Sequence, residues 1–282
     1  MKPQYKHELM TSFLLWFDHE LLQEGEAYSN KTGQLYSKPD SRIPDSYSAF
    51  QSNYKQWVSD SSVTGTTNPV IPTEFNGNSR SNGFIFDFEN GRIIETGGAT
   101  ISTDITGTFA VKDFNVYLTN ETEEDLILEN KFQINSRYGD LSMSGIDAYD
   151  KVVPAIFLNS EYMRNEGFAF GGEDLTKNII KAVVILDSEY QLDGALSIFA
   201  DTARKTFSKI PFSDHPSTEY GDIKGGTYNY LSLSNSHSSE IPYFIEDVTV
   251  SKFSERAQSR LPGNLKVGFI DFDVSTSRFP RS

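Results

Sequence analysis

Apolar side chains recur at spacings of three and four through residues 5–24, the pattern of one apolar face of an α-helix. Gly25 ends this predicted helix. Burying one large apolar side chain stabilises a fold by about 1.5–3 kcal/mol, so the face is not expected to stay in water. Two destinations remain open, because the helix can pack on its own domain or on a neighbouring subunit. The apolar face consists of Tyr5, Leu9, Met10, Phe13, Leu14, Phe17, Leu21 and Leu22.

A terminal helix that is followed by a long polar segment is well suited to reach a neighbour. We therefore treat the central apolar positions as candidate contacts between subunits. These interface candidates are Leu9, Phe13, Leu14, Phe17 and Leu21.

Residues 28–82 are rich in Ser, Thr, Asn, Gly and Pro, with aromatic side chains spread through them. A compact domain seldom contains so long an irregular stretch. Either short strands lie within it, or it is an arm that becomes ordered against a partner. The expected organisation is an N-terminal helix over 1–27, an extended aromatic-containing arm over 28–82 and a β-rich core domain over 83–282.

The segment GFIFDFENGRIIETGG, at 83–98, contains the clearest local pattern. Its phenylalanines alternate with other residues, and Asn90-Gly91 can adopt the positive backbone angles of a hairpin turn. We predict a β-hairpin here and a third strand over 106–120. A phase change at Lys112 and Asp113 within that strand indicates a bulge or an edge.

The remaining elements follow from shorter patterns. Asn120 precedes several acidic residues and predicts the cap of a short helix over 121–130. Pro154 suggests that the strand at 152–159 is an edge strand. A second amphipathic helix is expected over 193–209. Further expected elements are a strand ending in a turn at 168–172, a buried strand at 178–186, a loop at 213–240, and strands at 242–253 and 264–275.

These elements predict an α+β fold. Its centre is a β-rich antiparallel sheet or sandwich that residues 83–119 nucleate, with the two longer helices packed outside and long irregular arms.

Composition narrows the classes of function. The chain has 282 residues and a formal charge of −14, which repels phosphate and disfavours specific nucleic-acid binding. The absence of cysteine excludes disulfides and thiolate sites, and the four histidines are too scattered for a metal cluster. We expect no membrane span, no targeting segment and synthesis in the cytoplasm.

Catalytic motifs are missing from the sequence. We find no phosphate-binding glycine loop, no nucleophile elbow and no zinc-protease motif, and we expect neither an enzyme nor a cofactor. Acidic pairs leave glycan cleavage open, although acids that alternate on a strand are commonly its solvent face. A calcium site is a second open possibility, although acids at a helix start explain the same cluster. The acidic candidates are Asp87 with Glu89, Asp271 with Asp273, and Glu121, Glu123, Glu124 and Asp125 for calcium.

Aromatic residues make up 13% of the chain, and such side chains dominate both cores and protein interfaces. They favour a subunit that is completed by its neighbours, with sugar stacking as the competing use.

Five segments together resemble the virion structural proteins of large contractile-tailed bacteriophages, of the marine and cyanobacterial type. They are HELMTSFLLWFDHELLQEGEAYSN, GFIFDFENGRIIE, FAVKDFNVYLTNETEEDLILENKFQIN, FAFGGED and VGFIDFDVS. The resemblance implies a place in the virion, contacts with other virion proteins and assembly as a homo-oligomeric ring or sleeve without chemistry. The expected place is the neck or tail at the head-to-tail junction, where an acidic channel would let DNA slide. A baseplate or fibre-attachment protein is the alternative within the virion, and a carbohydrate-binding or glycan-cleaving protein is the alternative outside it.

Overall fold

The computed structural model describes residues 4–41, 43–67, 74–75, 78–79, 84–96, 105–128, 133–134, 152–167, 172–216, 227–254 and 265–279. These residues form helices and two larger sheets, which confirms the α+β prediction. The helices are α1 (Tyr5–Gln23), α2 (Glu123–Leu128), α3 (Glu189–Ala200) and α4 (Tyr230–Ser236). The strands are β1 (Tyr28–Ser37), β2 (Ser48–Gln51), β3 (Glu74–Phe75), β4 (Asn78–Ser79), β5 (Phe84–Asp87), β6 (Arg92–Glu95), β7 (Ile105–Lys112), β8 (Asn115–Leu118), β9 (Gln133–Ile134), β10 (Val152–Val153), β11 (Ala155–Gly167), β12 (Asp174–Leu186), β13 (Thr206–Phe207), β14 (Tyr243–Lys252) and β15 (Lys266–Arg278). Within the described ranges, no helix is long and apolar enough to cross a membrane.

The larger sheet has six strands in the order β13-β14-β15-β12-β11-β8. Neighbours are antiparallel except β8 and β11, which are parallel. The apolar run expected at 178–186 forms the buried part of β12, and β15 pairs along all of that strand. Alternate residues of β12 point to opposite faces, so Ile180 and Val184 lie in the core under the helices, while Val183 and Ile185 lie in a second cluster with α2.

Helix α1 packs against the first face of this sheet through aromatic rings. Phe17 stacks on Phe199 of α3 with ring centroids 3.9 Å apart. Phe13 meets Phe272 of β15 edge-on at 5.0 Å. Such pairs add about 0.5–1.5 kcal/mol each beyond the burial of their area, so the aromatic content stabilises this core.

Polar residues of α1 are also buried, because structure covers the helix on its other sides. Lys112 Nζ donates to Asp18 Oδ1 at 2.7 Å. The hydroxyl of Ser12 lies 3.1 Å from the backbone nitrogen of Ile210, which donates to it. Buried polar groups need such partners, and each bond ties α1 to a distant part of the chain.

The smaller sheet has five strands in the order β5-β6-β2-β1-β7, all antiparallel. Strands β1 and β2 both lie in the segment 28–82. Of the two alternatives for that segment, an arm or short strands, the structure therefore contains the short strands. The register of β1 and β7 runs from Tyr28 opposite Lys112 to Leu35 opposite Ile105. The expected boundary between an arm and a core domain at residue 82 therefore crosses a continuous sheet.

The hairpin predicted at 83–98 is confirmed as β5 and β6, joined by the four residues 88–91. Gly91 has a φ of +62°, and a Cβ there would lie 1.8 Å from the carbonyl oxygen of Tyr54. Glycine is needed at this position for both reasons. The adjoining Arg92 is buried, and it donates to Asp87 at 2.6 Å and to Asp40 at 2.7 Å.

The phase change at Lys112 and Asp113 marks a change of sheet. β7 belongs to the five-stranded sheet, and β8 joins the six-stranded sheet two residues later. Gln56 stabilises the segment where the chain passes from one sheet to the other. Its side-chain amide donates to the carbonyl of Val116 at 3.0 Å and accepts from the N–H of Val116 at 2.7 Å. The side chain thus pairs with β8 as a neighbouring strand would.

Two local predictions were wrong, and a third had the wrong bounds. The strand after Pro154 is not an edge strand, since β11 pairs with both β12 and β8 over residues 155–158. Proline is tolerated because it precedes the first paired residue. The cap of α2 is Thr122 rather than Asn120, since Thr122 Oγ1 accepts from the N–H of Asp125, and its own N–H donates to the carboxylate of Asp125.

The second helix, expected over 193–209, covers 189–200 instead. Ser188 precedes it in an extended conformation, and Arg204 has a φ of +71°, which is incompatible with a continuing helix. Phe207 continues the apolar pattern from β13, where it is buried against Trp16 and Tyr243. A single apolar pattern therefore spans a helix and a strand.

Parts of other predictions fall outside the described residues. These are most of the turn at 168–172 and part of the loop at 213–240. The described part of that loop includes α4, and the two closing strands are confirmed as β14 and β15.

Candidate functional site

The five interface candidates of α1 do not form an open surface. Leu9, Phe13 and Phe17 are fully buried in the core of their own chain, and Leu21 is nearly so. Leu14 is half-buried and packs against the same core. The chain itself covers these side chains, so α1 packs on its own domain.

Of the acidic pair Asp87 and Glu89, Asp87 stabilises the hairpin, and Glu89 is exposed. Asp87 accepts from Arg92 at 2.6 Å and from the side-chain amide of Asn90 at 2.9 Å and 3.0 Å. A buried arginine and an amide at these distances hold the carboxylate as the partner of the turn. These contacts explain the position of Asp87 without a catalytic role.

Asp271 and Asp273 lie on the face of β15 opposite to α1, as expected for a solvent face, because Phe272 between them points into the core. Asp273 is exposed, but Asp271 is half-buried and lies opposite Lys181 of β12. Burial raises the pKa of Asp271, and the nearby carboxylates of Glu123, Glu161 and Asp273 raise it further, while Lys181 lowers it.

A surface cleft of about 330 Å³ lies beside these residues, between the start of α2 and the strands β11 and β12. Lys181 Nζ stands in it, 3.1 Å from Glu123 and 3.3 Å from Glu161. Partial burial alone would lower the pKa of Lys181, but the hydrogen bond and charge of Glu123, with help from Glu161, raise it. Carboxylates outnumber the single ammonium, so the cleft disfavours phosphate and other anions.

The calcium candidates lie in and around the same cleft. Glu123 and Glu124 stand in the first turn of α2, where the helix dipole favours acids, and Asp125 completes the cap with Thr122. Glu121 lines the cleft. In the part of the chain that the structure describes, no three His, Asp or Glu residues have an arrangement that could hold a metal ion.

The histidines lie in separate places. His19 Nδ1 is 2.7 Å from Asp60, and His237 Nε2 is 3.1 Å from Asp214. His215 Nε2 is 3.3 Å from the carbonyl oxygen of Thr11. Each ring therefore has its own local contact.

One side of β11 is only partly paired with other described strands. β8 pairs only with residues 155–158 of that strand, and Lys6 donates to the carbonyl of Ser160 at 2.9 Å. From 161 to 167, the strands that the structure describes pair with β11 on the β12 side alone. Tyr162 and Met163 are 49% and 45% exposed on this stretch. The sequence patterns missed it, since the expected strand ended at residue 159.

A second open side lies at the far end of the sheet, on β14. β13 pairs with Tyr243 and Phe244, and the backbone of Ile245 bonds to Arg204 and Lys205. From 246 to 252, the described strands pair with β14 on the β15 side alone. Val250 is 37% exposed there. We call residues 161–167 the β11 edge and residues 246–252 the β14 edge.

Unpaired strand edges present rows of N–H and C=O groups that can pair with another chain. Both edges begin at an irregularity with an acidic residue, since the register shifts at Glu161 in β11 and at Glu246 in β14. Bulges and charges of this kind limit unselective pairing. Among the described residues, these two edges are stretches of the six-stranded sheet that a strand of another protein could extend.

No protein-family model matches the chain, and no curated protein is significantly similar to it.

Proposed function

We propose that the chain is a structural subunit of a tailed-phage virion that assembles with copies of itself into a ring at the head-to-tail junction. The observation that supports assembly is that the β11 edge and the β14 edge, near opposite ends of one six-stranded sheet, are each paired on one side only among the described strands. A sheet with an open edge at each end can join subunits head to tail, which is the contact that generates rings. The sequence resemblance to virion structural proteins supports the location.

The charge of the chain is compatible with this place. A formal charge of −14 on each copy would line a channel with negative potential, through which DNA passes without adhering. In this proposal the subunit is made in the host cytoplasm and is incorporated into the virion. It contacts itself and other virion proteins, and it carries out no reaction and needs no cofactor or membrane.

The test is the position and symmetry of the subunit in intact particles, determined by electron cryo-microscopy. A sixfold or twelvefold ring around the DNA axis supports the neck or tail assignment. A peripheral position overturns it in favour of a baseplate or fibre-attachment protein. Absence of the chain from purified particles overturns the virion assignment altogether.

The cleft at Lys181 is the observation that favours a second candidate, a carbohydrate-binding or glycan-cleaving protein. Its carboxylates and ammonium can hydrogen-bond sugar hydroxyl groups, and the raised pKa of Asp271 is a property of general acids. The aromatic ring that lines it, Phe157, is fully buried and offers no face for stacking on a sugar. Saturable binding of polysaccharide that Lys181→Ala abolishes would favour this candidate over the structural subunit.

A further inference from the structure

We propose that the β11 edge of one copy pairs with the β14 edge of the next copy, in antiparallel orientation, so that the six-stranded sheets join into one continuous sheet. This inference rests on the proposed assembly into a ring and names the contact that forms it. The occupant of each edge is thus a second copy of this chain.

The strand directions decide the orientation of the pair. β11, β12, β15 and β14 are successive neighbours, and each is antiparallel to the next, so β11 and β14 run in opposite directions. When two copies stand side by side in the same orientation, the β11 edge of one therefore meets the β14 edge of the other antiparallel. No subunit has to be inverted, which is the requirement of a head-to-tail ring.

The lengths of the two edges decide the register. The open stretches 161–167 and 246–252 each have seven residues. In the joined sheet, β8 of one copy and β13 of the other must not overlap the paired stretches. This condition places Glu161 opposite Lys252 and Gly167 opposite Glu246. In this register, Met163 lies opposite Val250.

Side-chain directions agree with that register. Met163 pairs with Asn178 of β12, and Val250 pairs with Ile270 of β15. Asn178 donates to Tyr5 of α1, and Ile270 lies in the core under the helices, so Met163 and Val250 both point to the helix face of the sheet. The contact would bury these two exposed apolar side chains against each other, as cross-strand pairs do.

Charges along the contact are mixed, with one complementary opposed pair, one like-charged opposed pair and an excess of acidic side chains. Glu161 faces Lys252 at one end. The one like-charged opposition, Glu166 with Asp247, lies next to Arg164, which already bonds to Glu166 at 3.2 Å. Asp247 is exposed, and among the described residues its side chain forms no hydrogen bond or ion pair. Arg164 can therefore approach it diagonally across the contact.

Cysteine cross-linking tests the register directly, because the natural chain contains no cysteine. The full chain carrying Met163→Cys and Val250→Cys should form a ladder of covalent oligomers on mild oxidation. Either single variant should remain monomeric on a non-reducing gel. The control pair Met163→Cys with Thr249→Cys differs by one position and places the second thiol on the other face, so it should cross-link at least tenfold less.

Three outcomes overturn the inference. One is equal cross-linking of the test and control pairs, and another is an absence of cross-linking in an assembled oligomer. The third is covalent dimers of the Met163→Cys variant alone, which would indicate twofold pairing of β11 with itself.

A second variant tests the contact without cysteine. Met163→Lys places a charge at the joint and should shift the oligomer towards monomer in light scattering, with an unchanged circular dichroism spectrum. Leu231→Lys, at another exposed apolar position on α4, should leave assembly unchanged. Equal assembly of the Met163→Lys variant and the parent chain overturns the pairing.

The two proposals fail separately. Rings in the particle whose subunits do not cross-link through positions 163 and 250 refute this contact and leave the structural role intact. Cross-linked chains that are absent from the particle refute the structural role and leave the contact intact.

Discussion

His19 Nδ1 in α1 lies 2.7 Å from Asp60 Oδ2, and both side chains are buried. The same carboxylate accepts hydrogen bonds from the backbone N–H groups of Ser62 and Tyr230 and from the hydroxyl of Ser62. One aspartate thus joins the first helix, the loop that follows β2 and the beginning of α4. Residues far apart in the chain depend on it.

Asp60→Asn should lower the free energy of unfolding by about 2 kcal/mol at pH 7, the range for hydrogen bonds to a charged group. Burial would raise the pKa of Asp60, but the hydrogen bonds from His19, Ser62 and Tyr230 outweigh burial and lower it below 3.8. Because the folded-state pKa is the lower one, this stabilisation is present above pH 3.8 and is lost as the pH falls through the folded-state value.

Urea unfolding between pH 3 and pH 7 measures this effect. The difference between the parent chain and the Asp60→Asn variant should shrink on acidification. Asp187→Asn, at an exposed position, is the matched control and should change stability by less than about 0.5 kcal/mol. A difference that stays constant over the whole pH range would contradict the ionic role of Asp60.

Phe17→Ala should destabilise the isolated subunit by about 3–5 kcal/mol, since it removes a buried ring from the stack with Phe199. Leu14→Ala, on the half-buried side of the same helix, should cost markedly less. Hydrogen exchange on the isolated chain should show strong protection of residues 9–21. Rapid exchange that slows only upon assembly would restore α1 as an interface helix.

Gly91→Ala should destabilise the fold by about 2 kcal/mol or more, because the added methyl group meets the carbonyl of Tyr54 and the backbone has a positive φ. Gly194→Ala is the paired control. It lies within α3 with open space around its Cα and should stabilise the chain by up to about 1 kcal/mol. Thermal unfolding of both variants compares them, and equal melting temperatures would refute the account of the hairpin.

Asp271→Asn should stabilise the chain at neutral pH. Burial and neighbouring carboxylates raise the pKa of Asp271, so its ionised form is disfavoured in the folded state. The protonated carboxyl group of Asp271 contributes its full stability to the fold below the unfolded-state pKa. This contribution is lost as the pH rises through the raised folded-state pKa. Solvent screening at this half-exposed site keeps the gain below about 1 kcal/mol.

The matched control for this prediction is Asp273→Asn, two residues along the same strand and exposed. Its gain in melting temperature at pH 7 should be smaller than that of Asp271→Asn, because it removes only one of the carboxylates that raise the pKa of Asp271. The advantage of Asp271→Asn should disappear below pH 3.8, where both forms are neutral. A loss of stability at pH 7 would show that the carboxylate of Asp271 makes a favourable contact.

Short-range patterns were sufficient for the elements whose residues determine their own conformation. The three-and-four spacing from Tyr5 onward defined α1 almost to its last residue, and the alternation before Asn90-Gly91 defined the first hairpin. The apolar run at 178–186 identified the buried part of β12. Backbone periodicity and turn chemistry act over a few residues, so they can be recognised in the sequence.

Longer-range outcomes depended on which elements meet in space. The pattern of α1 identified its apolar face, but only the positions of Lys112 and Asp60 explain why Asp18 and His19 are buried as well. The sequence left two destinations open for the apolar face, because a pattern does not show what covers it. The chain fills that space with its own sheet and with α3.

The sequence by itself determined the class of fold, its main periodic elements and its excess of negative charge. Tertiary structure alone decided that β1 completes a sheet with β7 and that the strand after Lys112 changes sheets. It also decided that, among the described strands, residues 161–167 and 246–252 are paired on one side only. The order of strands in a sheet, and with it the position of its edges, arises from pairing between segments that are distant in the chain. In the middle of this sheet, the pairs of β12 with β15 run from Leu186 opposite Lys266 to Asp174 opposite Arg278. Such pairing depends on the registry of many backbone groups at once, and no local pattern of side chains encodes it.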